Sequence, residues 1–293
     1  MPARSHPLSR DVTFDVPLAK WTSVRVGGSA EALVKPSHPD VLVQTLAIAK
    51  REGLAVSILG GGANTLVGDG GVPGVTLKLP SGGEEVDGDL ITLSAGAPIT
   101  RLVTLMKQQQ RVGAEFLAGI PGTIGGATTM NAGTKNGECM RIVDGLELAT
   151  ADGIGWVKSL PFVYRHTAIP AGAVVTRVRF RLGQGDLKES QAKMEADLGY
   201  RKRTQPLDKP NFGSVFTNPP GDHAGRLIES VQLKGHRIGN AQISELHANW
   251  IVNLGGATAR DVVALMELAT TRVRDSSGVT LTPEVKRIGV FTP

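Results

Sequence analysis

Cysteine is nearly missing from this sequence. Cys139 stands alone among 293 residues, which excludes a disulfide framework and leads us to expect a reducing compartment. Aromatic residues make up only 4%, thin for base stacking, and no Lys/Arg stripe with interleaved aromatics runs along the chain, so a nucleic-acid partner is not expected. No stretch of about 18 apolar residues occurs, which argues against membrane insertion. The six histidines are scattered, without a His-x-x-x-His or Cys/His cluster at ligand spacing, so no metal is expected. The basic start MPARSHPLSR runs into polar TFDVPLAKW instead of an apolar segment, so the expected location is the cytoplasm. Nothing points to an obligate protein partner.

What is plentiful is glycine, 37 residues against a usual share of about 7%. The glycines gather in clusters bounded by apolar runs, which suggests main chain placed close to ligands. Hydrophobic residues at 41% and charged residues at 20% are ordinary, and the length suffices for two compact domains or three small ones. A net charge of +5 suits an anionic ligand such as a nucleotide or diphosphate.

Periodicity predicts an amphipathic helix over 40–51, capped near Ser37 or Asp40 and ended by Gly53. A buried strand follows at 54–59, then a glycine-rich turn and a second strand at 75–79. A strand at 90–95 leads to a helix opened by Pro98 and stopped at Gly113. Further strands are expected at 142–148 and 173–182, the latter turning Arg177, Arg179 and Arg181 outward. Helices are expected over 186–202, 223–231 and 257–276, with a Pro-studded loop at 205–221 and a strand-like tail at 279–291. Helix and strand mix without strict alternation, so the fold class is α+β, not a Rossmann layout.

Two glycine clusters carry the chemistry. In LGGGANTLVGDGG no Gly-Lys-Ser/Thr follows, which excludes a Walker A loop, and counting from Gly60 the last position of G-x-G-x-x-G is Thr65. Consecutive amides there form either an anion-binding nest or a tight turn with no ligand. In AGIPGTIGGATTMNAG, Pro121 fixes a bend and glycines 119, 122, 125, 126 and 133 let the main chain lie flat, against a large planar ligand or against other backbone. Two such segments on one ligand suit a dinucleotide with a bulky ring, such as FAD.

These segments, with Tyr164-Arg165, QPLDKPNFGSVFTNPPGDHAGRLIE, QLKGHRIGNAQIS and the terminal PEVKRIG, closely resemble the UDP-N-acetylenolpyruvoylglucosamine reductase family. The motifs occur in family order from about Trp21 to Gly289. The resemblance implies a two-lobed FAD-binding domain of the vanillyl-alcohol-oxidase (PCMH) type, with a smaller α+β substrate domain. The expected lobes are 1–78 and 79–198, the substrate domain 199–293, and residues 281–293 should pack back on the second lobe. The resemblance also implies that FAD is bound non-covalently, with which the absence of His and Cys from both clusters agrees. Gly60, Gly61, Gly62, Ala63, Asn64 and Thr65 would hold the pyrophosphate. Gly119, Ile120, Pro121, Gly122, Thr123, Gly125 and Gly126 would line the flavin. NADPH would reduce the flavin and leave; the enolpyruvyl UDP-sugar would then take a hydride on its methylene carbon and a proton on the neighbouring carbon.

That chemistry demands a proton donor and a stabiliser for the enolate-like carboxylate. By the resemblance, Ser214 is the donor, Arg165 holds the substrate carboxylate, and Glu284 relays a proton or hydrogen-bonds the enolate. Taken alone, Ser214 after Gly213 reads as a turn, Arg165 as a surface residue and Glu284 as solvent-exposed; the motif order assigns them. A hydrolase is excluded because no G-x-S-x-G surrounds Ser214. Asn218, Lys234 and His247 match substrate-contacting positions, with Lys234 facing the diphosphate and His247 where some relatives carry Gln. Lys286 stands where relatives usually have Arg. The span between Arg165 and Ser214 carries one tyrosine, Tyr200, so the chain resembles the short form that lacks a Tyr-bearing substrate loop. The nearest rival is another FAD oxidoreductase of this fold acting on an alcohol or sugar, which would need a base instead of the Ser214 proton. A non-catalytic nucleotide- or sugar-binding module would leave Ser214, Arg165 and Glu284 without a joint task.

Overall fold

In the computed structural model, which describes residues 10–291, the chain divides into two units. The first is built from the chain up to Phe14, Ala32–Gly61 and Gly74–Gly199; the second from Asp15–Glu31, Gly62–Pro73 and the chain from Tyr200 onward. Most of the basic N-terminal segment, 1–9, lies outside the described residues, as do 292–293.

In the first unit, helix α1 (Pro39–Glu52) starts at His38, whose Nδ1 accepts the Asp40 amide, and ends where Gly53 turns left-handed at φ 65°. The expected caps Ser37 and Asp40 are thus displaced by the residue between them. Leu42, Leu46 and Ala49 are buried, and Leu42 and Leu46 pack with Val34, Val75 and Leu77. The expected buried strand at 54–59 shrinks to Val56–Ile58, and both Val56 and Ile58 are exposed because this strand is the edge of its sheet. It pairs in parallel with Val72–Leu77, Val56 lying opposite Val75.

The larger sheet of this unit runs Gly153–Val157, Val143–Thr150, Val174–Arg181, Leu90–Ser94, Glu84–Asp87, all antiparallel. One face is apolar: Leu146, Leu148, Val178, Phe180, Ile91 and Leu93 meet helices α2 (Ile99–Gln108) and α3 (Ile124–Thr129). The arginines of Val174–Arg181 turn the other way, as alternation requires. Arg179 and Arg181 both reach Asp144, at 2.8 and 2.7 Å, and their hydrogen bonds hold its carboxyl below the usual range. Cys139 is fully buried beside Thr128 Oγ1 at 3.8 Å, and burial pushes its thiol up to about 12. Helix α4 (Leu187–Thr204) covers the charged stretch expected at 186–202.

The second unit has a four-stranded antiparallel sheet ordered Asn211–Ser214, Trp250–Asn253, Ala241–Ile243, Arg237–Ile238. Its core joins Phe212, Phe216, Ile251 and Leu66 to helices α5 (Ala224–Ser230) and α6 (Ala259–Ser277). Lys286–Ile288 pairs in parallel with Thr65–Val67; this part of the tail therefore lies beside residues from the 1–78 segment, where the sequence placed it against 79–198. Among the described residues, no helix is long and apolar enough to cross a membrane.

Helix α6 shows how a start signal becomes stability. Thr258 Oγ1 accepts the Asp261 amide at 3.1 Å while Asp261 accepts the Thr258 amide at 3.1 Å, a reciprocal cap. Asp69 accepts the next two amides, Ala259 and Arg260, at 2.8 and 3.0 Å. Replacing Thr258 by Ala should cost about 1 kcal/mol, read as a lower urea midpoint with unchanged slope.

Candidate functional site

Each unit holds a cluster of the residues singled out above. In the first, the two glycine-rich segments touch main chain to main chain. A Cβ on Gly61 would lie 2.8 Å from Gly122 Cα, and one on Gly60 would lie 2.7 Å from Thr123 Oγ1. Gly125 is barred in the same way by Ala95 Cβ at 2.8 Å. Thr123 also accepts the Gly126 amide at 3.4 Å as the cap of α3, so the bend set by Pro121 runs into a short helix. Lys78 donates its ammonium to the Gly60 carbonyl. Burial first, and Lys35 second, hold that ammonium below the ordinary lysine value. Lys78 was not foreseen; nothing in its spacing marks it.

Arg165 belongs to the same unit. It is the second turn residue of a hairpin pairing Phe162 with Thr167 and Val163 with His166, and it sits at φ 60°. A left-handed arginine is uncommon and is held here by its surroundings. Its Nη2 donates to Gly133 O at 3.0 Å, and its guanidinium stacks 4.7 Å from the Tyr164 ring centre. Asn131 Nδ2 donates to Val163 O at 3.0 Å, and Thr167 Oγ1 donates to Thr128 O at 2.6 Å. The hairpin is thereby fastened to the end of the second glycine segment.

In the second unit, Ser214 and Glu284 come together. From Asn211 to Ser214 the strand advances one residue more than its partner does from Val252 to Trp250, a bulge with Gly213 at φ 81°. Bulges re-aim the side chains beside them, and Ser214 directly follows Gly213 in this one. The next peptide, Val215, receives Glu284 N–H on its carbonyl at 2.8 Å. Glu284 O in turn accepts Asn64 Nδ2 at 3.1 Å, and Lys286 N donates to Asn64 O at 3.0 Å. Ser23 Oγ lies 2.6 Å from Asn211 O and 3.1 Å from Gly62 O. Gly62–Thr65, Asn211–Val215 and Glu284–Ile288 are therefore neighbours. Gly62, at φ 66°, lies too close to the Trp21 carbonyl for any side chain.

Asn218, Lys234 and His247 surround the seven-residue helix α5. Asn218 Oδ1 accepts the Ala224 amide at 3.0 Å, and Lys234 pairs with Glu229 at 3.0 Å. His247 packs against Gly225, where an added Cβ would meet the ring at 3.0 Å. Its Nδ1 accepts the Asn249 amide at 3.2 Å, which leaves Nε2 to carry the proton of the neutral ring. Among the described residues, no group of three or more His, Cys, Asp or Glu could hold a metal.

Comparison with known proteins bears on both units. A family profile described as an FAD binding domain matches residues 30–156. One described as the C-terminal domain of UDP-N-acetylenolpyruvoylglucosamine reductase matches 205–288. The enzyme of that name from Myxococcus xanthus is 63% identical over 96% of this chain and 93% of its own. Its counterpart from Bacillus velezensis is 39% identical over 93% of this chain and 92% of its own. The crystal structure of the UDP-N-acetylenolpyruvylglucosamine reductase of Thermus caldophilus superposes with a TM-score of 0.82 at 33% identity, covering 95% of this chain and 98% of that one.

Burial first, and Lys234 second, hold the His247 imidazole below the ordinary histidine value of 6.5. Unfolded chains take up this proton near pH 6.5 while the native ring stays neutral to lower pH. The ring therefore adds stability that is complete above the unfolded value and is lost as pH falls below it. As pH falls below about 6.5, the urea midpoint of His247→Gln should change less with pH than that of the parent. An equal slope in both proteins would contradict the assignment.

Proposed function

Because the chain belongs to the UDP-N-acetylenolpyruvoylglucosamine reductase family, we propose a division of the family's reaction among its residues. The chain is an FAD-dependent oxidoreductase that uses NADPH to reduce UDP-N-acetylglucosamine enolpyruvate to UDP-N-acetylmuramate in peptidoglycan precursor synthesis. Its fold is α+β, an FAD-binding domain joined to a smaller C-terminal domain; in this reading the FAD-binding domain is of the vanillyl-alcohol-oxidase type. Residues 1–78 and 79–198 form the two flavin-holding lobes in this reading, and 199–293 serve the substrate.

The chain fits FAD by what its glycines exclude. Positions 60, 61 and 125 leave no room for a Cβ because Thr123, Gly122 and Ala95 occupy that space; the two segments are thereby locked together, and in this reading the peptide groups they leave uncovered face a flat ring and a pyrophosphate. Gly60 to Thr65 take the pyrophosphate, and Gly119 to Gly126 line the flavin ring, without a covalent link. FAD held there would supply hydride transfer from NADPH to the methylene carbon of the substrate.

The chain's own side chains do the rest. Ser214 Oγ gives its proton to the carbon next to the methylene. Arg165 holds the substrate carboxylate with a charged planar fork while negative charge builds there. Glu284 hydrogen-bonds that carboxylate or relays the proton that restores Ser214. Lys234 meets the diphosphate, and Asn218 and His247 contact the nucleotide sugar. The observation that carries the assignment is the Val215 peptide, which seats Ser214 on one side and receives the Glu284 amide on the other. The lone cysteine and the water-soluble nucleotide substrates support a cytoplasmic location.

Two experiments test this. Ser214→Ala should leave anaerobic flavin reduction by NADPH nearly intact while reoxidation by the enolpyruvyl nucleotide slows by about 10²–10⁴; equal damage to both steps would remove Ser214 as donor. Gly61→Ala should weaken FAD binding by roughly tenfold, about 1.4 kcal/mol, read by flavin-fluorescence titration of apoprotein. Unchanged affinity would dissociate this segment from the cofactor.

A further inference from the structure

We propose that Asn249 is the positioning residue for Ser214, gripping the main chain just beyond it; the inference rests on the reading of Ser214 as proton donor. The register of the Trp250–Asn253 strand against Asn211–Ser214 ends at the pair Ser214–Trp250. One residue further, Asn249 takes over. Its carbonyl accepts Val215 N–H at 2.9 Å. Its side-chain Oδ1 then accepts Phe216 N–H at 3.0 Å while Nδ2 donates to Phe216 O at 2.8 Å. The carboxamide thus reproduces the two-bond exchange of an antiparallel backbone pair, at a point where the neighbouring backbone has turned away. Asn249 is 3% exposed and Phe216 2%, so water cannot replace these bonds.

The grip matters because it fixes the chain immediately beyond Ser214. That residue follows a bulge opened by Gly213 at φ 81°, and a bulge alone leaves the strand free to pivot. Beyond it, Phe216 bridges to Pro283, and Val215 O accepts the amides of Glu284 at 2.8 Å and Val285 at 3.3 Å. The Val215–Phe216 segment therefore lies between Asn249 on one side and the Glu284 segment on the other. Releasing the Asn249 side would let Ser214 Oγ shift relative to Glu284. Displacements near 1 Å at a reacting group cost about 10²-fold in rate. A leucine of similar volume could fill the space but would leave both polar groups of the Phe216 main chain unpaired.

The test is a double-mutant cycle on the FAD-loaded enzyme, following each half-reaction anaerobically. Asn249→Leu should keep reduction by NADPH within about twofold and slow reoxidation by the enolpyruvyl nucleotide about 10–100-fold. In a Ser214→Ala background the same change should slow reoxidation by less than about twofold, since a hydroxyl that is gone cannot be misplaced. Asn249→Ser, with a hydroxyl too short to span both groups, should show the same pattern and carries the cycle if the leucine variant does not fold. Additive losses in the double mutant, or equal slowing of both half-reactions in Asn249→Leu, would overturn the inference while Ser214 keeps its role. Unimpaired reoxidation in Ser214→Ala alone would overturn the proton-donor reading, and the inference with it.

Discussion

The peptide of Val215 is held from both sides. Its N–H is taken by the Asn249 carbonyl and its C=O by the Glu284 amide, and Val215 itself is 1% exposed. A backbone hydrogen bond adds only about 1 kcal/mol net to stability, but leaving such a buried group unpaired costs about 1–3 kcal/mol. The arrangement is therefore enforced mainly by the penalty for departing from it. Residues 70 positions apart in sequence, Ser214 and Glu284, keep their relative place because neither strand can slide without orphaning a buried polar group. On the proposed reading of Ser214 as proton donor, a hydroxyl that is intrinsically a weak acid has most to gain from such fixity, since positioning must supply what acidity does not.

The glycine segments obey a complementary constraint. Where Ser214 is placed by bonds that must be made, Gly61 and Gly122 are placed by atoms that must be missing. Two backbones in contact present peptide groups instead of side chains, and the ammonium of Lys78 on the Gly60 carbonyl stiffens one of them from behind.

Much of this was legible before any coordinates. Missing side chains are visible in a sequence, so both glycine clusters could be read; a glycine ending located α1 closely, and an apolar face located α6. Ordered motifs carried Ser214 and Glu284, whose segments are joined by the bond from the Glu284 amide to the Val215 carbonyl. What escaped has common physical causes. Trp250–Asn253 is buried at all four positions, so it lacks the alternation that reveals a half-buried strand. Val56–Ile58 was read as buried because apolar composition does not distinguish a central strand from an edge. The cap of α1 went to His38, since which neighbouring side chain turns back on the amides depends on local dihedrals. Asn249 left no trace at all. Its work is done on main chain 33 residues away, and backbone partners impose no pattern on sequence.

One feature of the first unit has a practical side. The sulfur of Cys139 is sealed in the core next to Thr128, with its ionisation pushed up to about 12, so at neutral pH it offers neither access nor thiolate to alkylating agents or oxidants. Since the chain has no second cysteine, the native protein is silent toward maleimide dyes. A single engineered surface cysteine on either unit would then be the sole labelling point, giving spectroscopists a ready background-free scaffold for following distances as nucleotides come and go.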